Sequence, residues 1–254
     1  MANKLVLLLL LLATALFFCH SFLFPTLVRY YTKDCHLSKT EYNAFRELFQ
    51  QITTAYEELD QVYWVDYGLL LGYYRHKDML PHDGDIDLSR IHAGRGEHRF
   101  DVAFNKKLAS VPETYGNSIV AEKNYTGSDG QRVYITADLF RYNVKEVDGV
   151  KKVTLYWNIP HLNSTRYKMF ERHFELDIPY EVIFPLQYLV FLGKNVTFPN
   201  QIEKLLSLRY KSYRIPLPYK WRCYVTTFNV GAVSLITVII AFLYKLAVHY
   251  KTKV

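Results

Sequence analysis

The chain has 254 residues, half of them hydrophobic, with 22 tyrosines and 16 phenylalanines. This length favours one domain of about 190–200 residues with a tail at each end, and the composition suffices for a sizeable core. The formal net charge is +7, but the basic residues are scattered and no basic run contains a nucleic-acid-binding motif. We therefore expect no nucleic-acid partner, and a phosphorylated substrate together with basic membrane flanks explains the charge better.

Two apolar runs lie near the ends of the chain. Residues 5–28 are long enough to span a bilayer as a helix, and residues 225–243 are free of charge and followed by lysines. We interpret the first run as an uncleaved anchor, and the alternative is a cleaved signal peptide. We interpret the second run as a transmembrane helix, and the alternative is a buried C-terminal helix. The predicted parts are an anchor at 1–29, a lumenal domain at 30–222, and a span with a short basic tail at 223–254.

Three N-x-[ST] sequons lie between these two runs, at Asn124, Asn163 and Asn195. Their position predicts a membrane protein of the endoplasmic reticulum or Golgi whose central domain is lumenal and glycosylated. Cys35 and Cys223 are the only cysteines outside the first apolar run. We predict that they form a disulfide, because an oxidising lumen permits one.

A helix is predicted to begin after Ser38 and to end near Asp60. Ser38 and Glu41, three residues later, form a capping box. Apolar residues then recur every three or four positions, which indicates one face turned to the core. They are Tyr42, Phe45, Phe49, Ile52, Tyr56 and Leu59.

Residues 62–91 contain the motif around which the rest of the chain is organised. We predict a strand at 62–65, a glycine turn, a short apolar helix that includes Gly68 and Gly72, a loop, and a second strand from Ile86.

Three aspartates, Asp83, Asp85 and Asp87, occupy every second position at the end of this motif. If the strand begins at Asp83, all three carboxylates point to one face, because strand side chains alternate. Like charges repel at this separation, and a divalent cation is the usual compensation. Oxygen ligands of this kind suit Mg²⁺ or Mn²⁺. A solvated acidic turn is the alternative, but the flanking residues are apolar.

The same motif contains candidate phosphate contacts. Gly68 and Gly72 lie in the short helix, where a glycine lets a phosphate approach the backbone and a helix N-terminus favours an anion. Arg75, His76 and Lys77 follow, and they are either phosphate contacts or a solvated basic turn.

The second half of the chain is predicted to hold further strands and helices. We expect a helix at 97–110, a strand pair at 118–123 and 131–136, and a strand containing Asp138 among apolar residues. Burial of a lone carboxylate is costly unless it meets a metal or a base, so Asp138 is the natural third ligand. A hairpin turn at 148–149, a strand at 150–157 and an amphipathic helix at 200–212 complete the prediction.

The motifs resemble those of the LicD family, which includes bacterial phosphocholine transferases, fukutin and fukutin-related protein. The resemblance covers roughly residues 40–220 in patches and is most specific in the central one. The matching positions there are Tyr67, Gly68, Leu70, Leu71, Gly72, Arg75, Leu80, Pro81, Asp83, Asp85 and Asp87, with Asp138–Phe140 later. The chain departs from the family at His82, where a Trp is usual, at Leu69, and at Lys211.

The resemblance implies an α+β fold with a nucleotidyltransferase-like mixed sheet and flanking helices. It also implies a metal-dependent phosphotransferase that moves a phospho-alcohol unit, such as ribitol phosphate or phosphocholine, from a CDP-linked donor to a glycan or glycoprotein acceptor. Asp85, Asp87 and Asp138 would bind Mg²⁺ or Mn²⁺, and Asp138 or Asp83 would accept a proton.

Five further residues are assigned to the substrate on the same basis: Gly68, Gly72, Arg75, Lys77 and His82. The alternative function is a catalytically inactive, membrane-anchored scaffold or binding subunit of a glycosylation complex. The donor alcohol, the acceptor and the presence of a homo-oligomer are left open by the sequence.

Overall fold

The computed structural model describes residues 2–19, 36–116, 119–156, 177–210 and 212–215. It divides the chain into a compact unit, Leu37–Pro216, and a second unit formed by Met1–His36 and Leu217–Val254. In the second unit, helix α1 spans Ala2–Phe18. Over the described residues, no helix combines the length and apolarity needed to cross a membrane.

Several predictions concern residues outside the described part of the chain. These are the rest of the first apolar run, the span at 225–243, the sequon at Asn163, and both predicted disulfide partners, Cys35 and Cys223.

Helix α2 spans Lys39–Glu58 and confirms the predicted capping box. The Ser38 hydroxyl accepts a hydrogen bond from the Glu41 N–H at 3.2 Å, and the Glu41 carboxylate accepts one from the Ser38 N–H at 2.6 Å. Two donors that would otherwise lack a helical partner are thereby satisfied.

The centre of the unit is a mixed sheet, which confirms the predicted α+β class. Over the described residues its strands are β1 (Tyr63–Val65), β2 (Asp85–Ile91), β3 (Thr114–Gly116), β4 (Val120–Thr126), β5 (Arg132–Val147), β6 (Val150–Leu155) and β7 (Asp177–Pro179). The order is β1-β2-β5-β4-β3, while β6 pairs with the later half of β5, and β7 pairs with β6. Strands β2 and β5 are parallel, and the other neighbours are antiparallel.

Strand β5 is longer than predicted. The predicted strands at 131–136 and around Asp138 are one continuous strand of 16 residues. The hairpin that follows it turns at Asp148 and Gly149, as predicted, and both residues have positive φ, 54° and 74°. Aspartate and glycine tolerate this conformation better than most residues.

One face of the sheet is covered by helices α2 and α4 (Glu97–Ala109). The Tyr56 ring of α2 stacks on Phe104 of α4 with 5.2 Å between ring centroids. The Ile86 and Leu88 side chains of β2, on the same face, are fully buried. This layer is the hydrophobic core of the unit, and Asp85 and Asp87 of β2 lie on the opposite face of the sheet.

Further helices and strands complete the described part of the unit. Helix α3 spans Tyr67–His76, α5 spans Tyr180–Ile183, and α6 spans Ile202–Arg209, within the predicted helix at 200–212. Strands β8 (Gln187–Phe191) and β9 (Lys194–Phe198) form a separate antiparallel hairpin. Its Phe191 and Phe198 rings contact Tyr73 of α3 at 5.6 and 4.4 Å between centroids, so the hairpin supports α3.

A charged cluster ties the covered face of the sheet to α4. The Glu97 carboxylate accepts hydrogen bonds from the guanidinium groups of Arg90 and Arg141 and from the Ala93 N–H. Arg90 is fully buried, and its guanidinium lies 4.3 Å from the centroid of the Phe100 ring. Burial alone would raise the pKa of Glu97, but the hydrogen bonds and charges of these neighbours lower the pKa to about 2.

We expect Glu97→Gln to destabilise the protein by about 2 kcal/mol at pH 7, less than for a fully buried pair because Glu97 keeps some solvent contact. The folded-state pKa lies below the unfolded one, so this contribution is present above about pH 4.5 and is lost as the pH falls towards 2. Urea unfolding at pH 7, 5 and 3 should therefore show a difference between wild type and variant that shrinks on acidification. Glu58→Gln, which alters an exposed pair with Lys107, is the control. A difference independent of pH would contradict the assignment.

Candidate metal centre

Three carboxylates meet on the face of the sheet opposite the core helices. Asp87 of β2 is the register partner of Asp138 of β5, and Asp85 lies two residues earlier on the same face of β2. One carboxylate oxygen from each of these residues lies within 4.8 Å of the others. The structure thus brings together the three residues predicted to bind a metal.

Asp87 lies deepest in this cluster, with 7% of its surface exposed. Burial raises its pKa well above the usual range, and the charges of Asp85, Asp83 and Asp138 raise the pKa further. Burial also raises the pKa of Asp138. One buried and two partly exposed carboxylates with converging oxygen atoms fit a hard divalent cation such as Mg²⁺ or Mn²⁺.

Asp83 lies in the loop beside the cluster, which corrects the expectation that the strand might begin there. Strand β2 begins at Asp85, so only Asp85 and Asp87 share a strand face. A Cβ atom on Gly68 would lie 2.2 Å from the Asp83 carboxylate and 3.0 Å from that of Asp87. Asp83 therefore faces the same space from the turn that precedes the strand.

The two glycines of α3 serve close packing. The Gly68 N–H donates a hydrogen bond to the Asp87 carboxylate at 2.8 Å, so the helix N-terminus already faces an anionic side chain. A Cβ on Gly72 would lie 2.6 Å from the Asp78 carbonyl oxygen and 2.7 Å from the Leu80 nitrogen. Both positions thus require glycine for steric reasons, and Gly68 does so at the cluster itself.

The predicted basic contacts lie at the other end of α3. Seven to nine residues separate Arg75 and Lys77 from Gly68, which is about 10–14 Å along a helix. Arg75 donates hydrogen bonds to the carbonyls of Tyr213 and Ser212 at 2.9 and 3.3 Å.

Lys77 and His82 flank the loop that leads from α3 to the cluster. Lys77 caps α3 with φ of 57°, and its ammonium lies 4.2 Å from the centroid of the Tyr73 ring. His82 directly precedes Asp83 in the sequence. It is therefore closer to the carboxylates along the chain than Arg75 and Lys77 are.

A buried ion pair behind the carboxylates was not predicted from the sequence. The Arg209 guanidinium of α6 donates a hydrogen bond to Asp66 at 2.9 Å, and both side chains are fully buried. Arg209 also donates to the Tyr142 hydroxyl at 2.7 Å and lies 4.1 Å from the centroid of the Tyr67 ring. The pair links α6, β5 and the start of α3.

Asp66 is the N-cap of α3 and organises its first turn. Its carboxylate accepts hydrogen bonds from the Tyr67 N–H at 2.8 Å and from the Ser89 hydroxyl of β2 at 2.8 Å. Tyr67 has φ of 43°, which is rare for a bulky residue and is held here by its surroundings.

An aspartate between a strand and an apolar helix is a typical N-cap signal and would have identified Asp66. Arg209 has no comparable signal, because its burial depends on its distant partner.

Tyr210 follows Arg209, and the charges of the nearby carboxylates affect its pKa. Burial raises its pKa, and the charges of Asp87, Asp66 and Asp83 raise it further. The residue that follows α6 therefore lies near the carboxylate cluster.

Sequence comparison places these residues in a known family. The family model "LicD/FKTN/FKRP, nucleotidyltransferase domain" matches residues 60–201. Ribitol 5-phosphate transferase FKRP of human and of mouse are each 26% identical to this chain over 168 residues, which is 66% of this chain and 31% of the relative. The chain thus corresponds to about a third of the length of these relatives.

Solved structures are similar at a lower level. A nucleotidyltransferase-like antigenic protein from Paracoccidioides brasiliensis has a TM-score of 0.37 and 12% identity, covering 65% of this chain and 62% of that one. The antibiotic-resistance factor ANT(2'')-Ia has a TM-score of 0.32 and 13% identity, covering 84% of this chain and all of that one.

The family match extends over more than half of the chain and includes Asp83, Asp85, Asp87 and Asp138. This protein therefore belongs to the LicD/FKTN/FKRP nucleotidyltransferase-domain family.

Proposed function

We propose that the protein is a metal-dependent phosphotransferase that moves a phospho-alcohol unit from a CDP-activated donor to a hydroxyl group of a glycan. The observation that supports this proposal is the convergence of Asp85, Asp87 and Asp138, with oxygen atoms within 4.8 Å of one another. The curated relatives are named ribitol 5-phosphate transferases, so ribitol phosphate is the first unit to test.

The three aspartates would hold Mg²⁺ or Mn²⁺, which when bound neutralises the phosphate charge of the donor and of the departing nucleotide. Asp87 is the buried anchor, since the Gly68 N–H fixes its carboxylate. Asp85 and Asp138 are less buried than Asp87 and face the space where a donor would lie.

In the proposed reaction, the acceptor hydroxyl oxygen forms a bond to the phosphorus of the phospho-alcohol unit. The bond from that phosphorus to the bridging oxygen breaks, and CMP leaves with the electron pair. The hydroxyl proton passes to a carboxylate, either Asp138 or Asp83. Burial raises the pKa of Asp138, which makes its carboxylate a stronger base.

The basic residues keep their predicted role as phosphate contacts in this proposal. Lys77 is exposed and reaches solvent, and His82 borders Asp83. Arg75 can contact a donor only if its guanidinium leaves the carbonyls of Ser212 and Tyr213.

The test is a donor-hydrolysis assay on the full chain with CDP-ribitol, CDP-glycerol and CDP-choline, in which water takes the place of the acceptor hydroxyl. We expect CMP release from at least one donor in the presence of Mn²⁺ or Mg²⁺ and its loss in EDTA. Metal-dependent binding of CDP without any CMP release would favour the inactive scaffold or binding subunit.

We also propose a membrane-anchored protein of the Golgi or endoplasmic reticulum with the catalytic unit in the lumen. Asn124 and Asn195 are exposed on the described surface, which permits glycosylation of both. Glycosidase treatment should therefore shift the mobility of the expressed protein. An unglycosylated protein whose central region is digested in intact microsomes would contradict this topology. The Cys35–Cys223 disulfide stays a prediction.

A further inference from the structure

The outer face of the β8–β9 hairpin carries two exposed apolar side chains. Tyr188 is 70% exposed and Val190 is 74% exposed, more than any other large hydrophobic residue in the described part of the chain. They lie two positions apart on β8 and therefore point to the same face. Phe191, the next residue, points to the other face and is buried. An exposed apolar patch of this kind indicates an interaction site.

The predicted glycosylation site Asn195 lies on the same outer face. Asn195 of β9 is the register partner of Val190, and Thr197, the hydroxyl residue of the sequon, is the partner of Tyr188. Facing side chains of antiparallel strands have Cβ atoms about 4.5–5.5 Å apart, and diagonal neighbours lie about 7–8 Å apart. Asn195 is exposed, so a sugar attached to it begins beside Val190 and within reach of the Tyr188 ring.

A cavity of about 420 Å³ adjoins this face of the hairpin. The hairpin lines one side of it, and residues between the end of α2 and β1 line the other. The lining combines apolar and polar side chains, among them Val62, Tyr188, Asp60, Gln61 and Asn195. Cavities of roughly 300–1,000 Å³ hold ligands of drug size, and the first two sugars of an N-glycan are of that size. Because Asn195 belongs to the lining, a group attached to its side chain starts at the cavity.

We propose that this face is the docking site of the protein's own N-glycan, in which the first sugars on Asn195 cover Val190 and Tyr188 and enter the cavity. The inference rests on the lumenal location proposed above, because N-glycans are added there. The C–H face of a sugar ring packs against an aromatic ring such as that of Tyr188. The oxygen atoms of Asp60 and Gln61 can accept hydrogen bonds from the sugar hydroxyl and acetamido N–H groups.

Covalent attachment makes a glycan the occupant that this surface favours. A ligand on a short tether has an effective concentration in the millimolar range, so contacts too weak to hold a free sugar suffice to dock it. The sequon also determines the chemistry of the ligand, since its asparagine is the attachment point of an N-glycan, whose first two sugars are N-acetylglucosamine. The apolar patch and the attachment point lie on one face of the same hairpin.

The experiment is a double-mutant cycle on the melting temperature of the full chain, expressed with high-mannose glycans. All proteins carry Asn124→Gln and Asn163→Gln, so that Asn195 is the one sequon that remains. We expect Asn195→Gln to lower the melting temperature of this parent by about 2–4 °C. In a parent that carries Tyr188→Ala, Asn195→Gln should have less than half of this effect, because the ring that the sugar covers is gone.

Two controls separate docking from a general effect of glycosylation. Tyr115→Ala removes a tyrosine that is 59% exposed on strand β3, and in this background Asn195→Gln should keep its full effect. Endoglycosidase H leaves one N-acetylglucosamine on Asn195. The trimmed parent should keep most of the stabilisation, because the sugar nearest to Val190 remains.

Four results would overturn the docking site. These are a peptide map that finds Asn195 unmodified, an unchanged melting temperature in Asn195→Gln, an equal effect of Asn195→Gln with and without Tyr188→Ala, and complete loss of the stabilisation on trimming.

The remaining measurements separate this inference from the proposed function. A wild-type protein that carries a glycan at Asn124 but gains no stability from Asn195 keeps the lumenal location and loses the docking site. A protein without a glycan at any sequon loses both. CMP release tests the transferase function independently, because Asn195 and Tyr188 are not among the converging carboxylates. A protein that is stabilised by its Asn195 glycan but cleaves no donor would refute the transferase function and keep the docking site.

Discussion

Asp85→Asn and Asp138→Asn are each expected to reduce CMP release by about 100-fold or more and to remove most of the thermal stabilisation by Mn²⁺. Each substitution nearly preserves shape but replaces a charged oxygen ligand with a neutral one, which weakens binding of a hard cation. A cation that binds only the folded state raises the melting temperature by mass action, so a variant that binds it weakly gains less. Thermal melting with and without Mn²⁺, beside the CMP assay, measures both effects.

The same substitution at two further aspartates, Asp87→Asn and Asp83→Asn, tests the remaining carboxylates. Asp87→Asn should also abolish turnover, yet in EDTA it should melt above wild type, because one buried like-charge contact is removed while its amide oxygen still accepts from Gly68. Asp83→Asn should be milder, since Asp83 lies outside the group of converging oxygen atoms.

Asp148→Asn provides a control that leaves the cluster unchanged. Asp148 lies in the hairpin turn with φ of 54°, a conformation that asparagine adopts readily. Wild-type metal stabilisation and turnover in Asp85→Asn and Asp138→Asn would refute the metal centre and favour the scaffold function.

Arg209→Met is expected to lower the free energy of unfolding by about 3–5 kcal/mol. The substitution leaves the carboxylate of Asp66 charged and fully buried without its partner, and a broken buried pair costs this amount. It also removes the donor to the Tyr142 hydroxyl. Urea unfolding followed by tryptophan fluorescence is a suitable measurement, because the buried Trp64 indole donates to Asp66 at 3.2 Å.

Two further arginine variants define the size of this effect. Arg209→Lys keeps the charge but loses the planar guanidinium whose Nη2 donates to both Asp66 and Tyr142 and which lies over the Tyr67 ring, so it should lie between wild type and Arg209→Met. Arg214→Met removes an ion pair with Glu203 in which both side chains are largely exposed, and it should leave the unfolding midpoint unchanged. Equal midpoints for Arg209→Met and Arg214→Met would show that the buried pair contributes nothing to stability.

Much of the fold was predictable because its signals are local. The capping box at Ser38 and Glu41 lies within four residues, and the turn at Asp148 and Gly149 within two. Side chains alternate between the two faces of a strand, so Asp85 and Asp87 of β2 lie on one face regardless of how the rest of the chain packs. For the candidate site, the apolar neighbours of Asp138 led to the prediction that it joins Asp85 and Asp87, because a buried carboxylate is costly without a partner. The structure brings the three residues together, and their role as metal ligands stays a prediction.

The tertiary structure decided the features that depend on pairs distant in sequence. Asp66 and Arg209 are 143 residues apart, and neither residue type alone predicts a buried ion pair. The strand register alone places Asp138 of β5 beside Asp87 of β2.

Packing likewise decided the roles of the residues of α3. Gly68 was predicted as a phosphate contact from its position in the helix, but the carboxylates that crowd its Cα come from a loop and a neighbouring strand. Arg75 shares the same motif, yet the carbonyls of Ser212 and Tyr213 hold its guanidinium at the opposite end of the helix. A sequence determines which side chains share a helix or a strand, because those periods are set by the backbone. Which of them meet a partner depends on how the elements pack, since that partner comes from elsewhere in the chain.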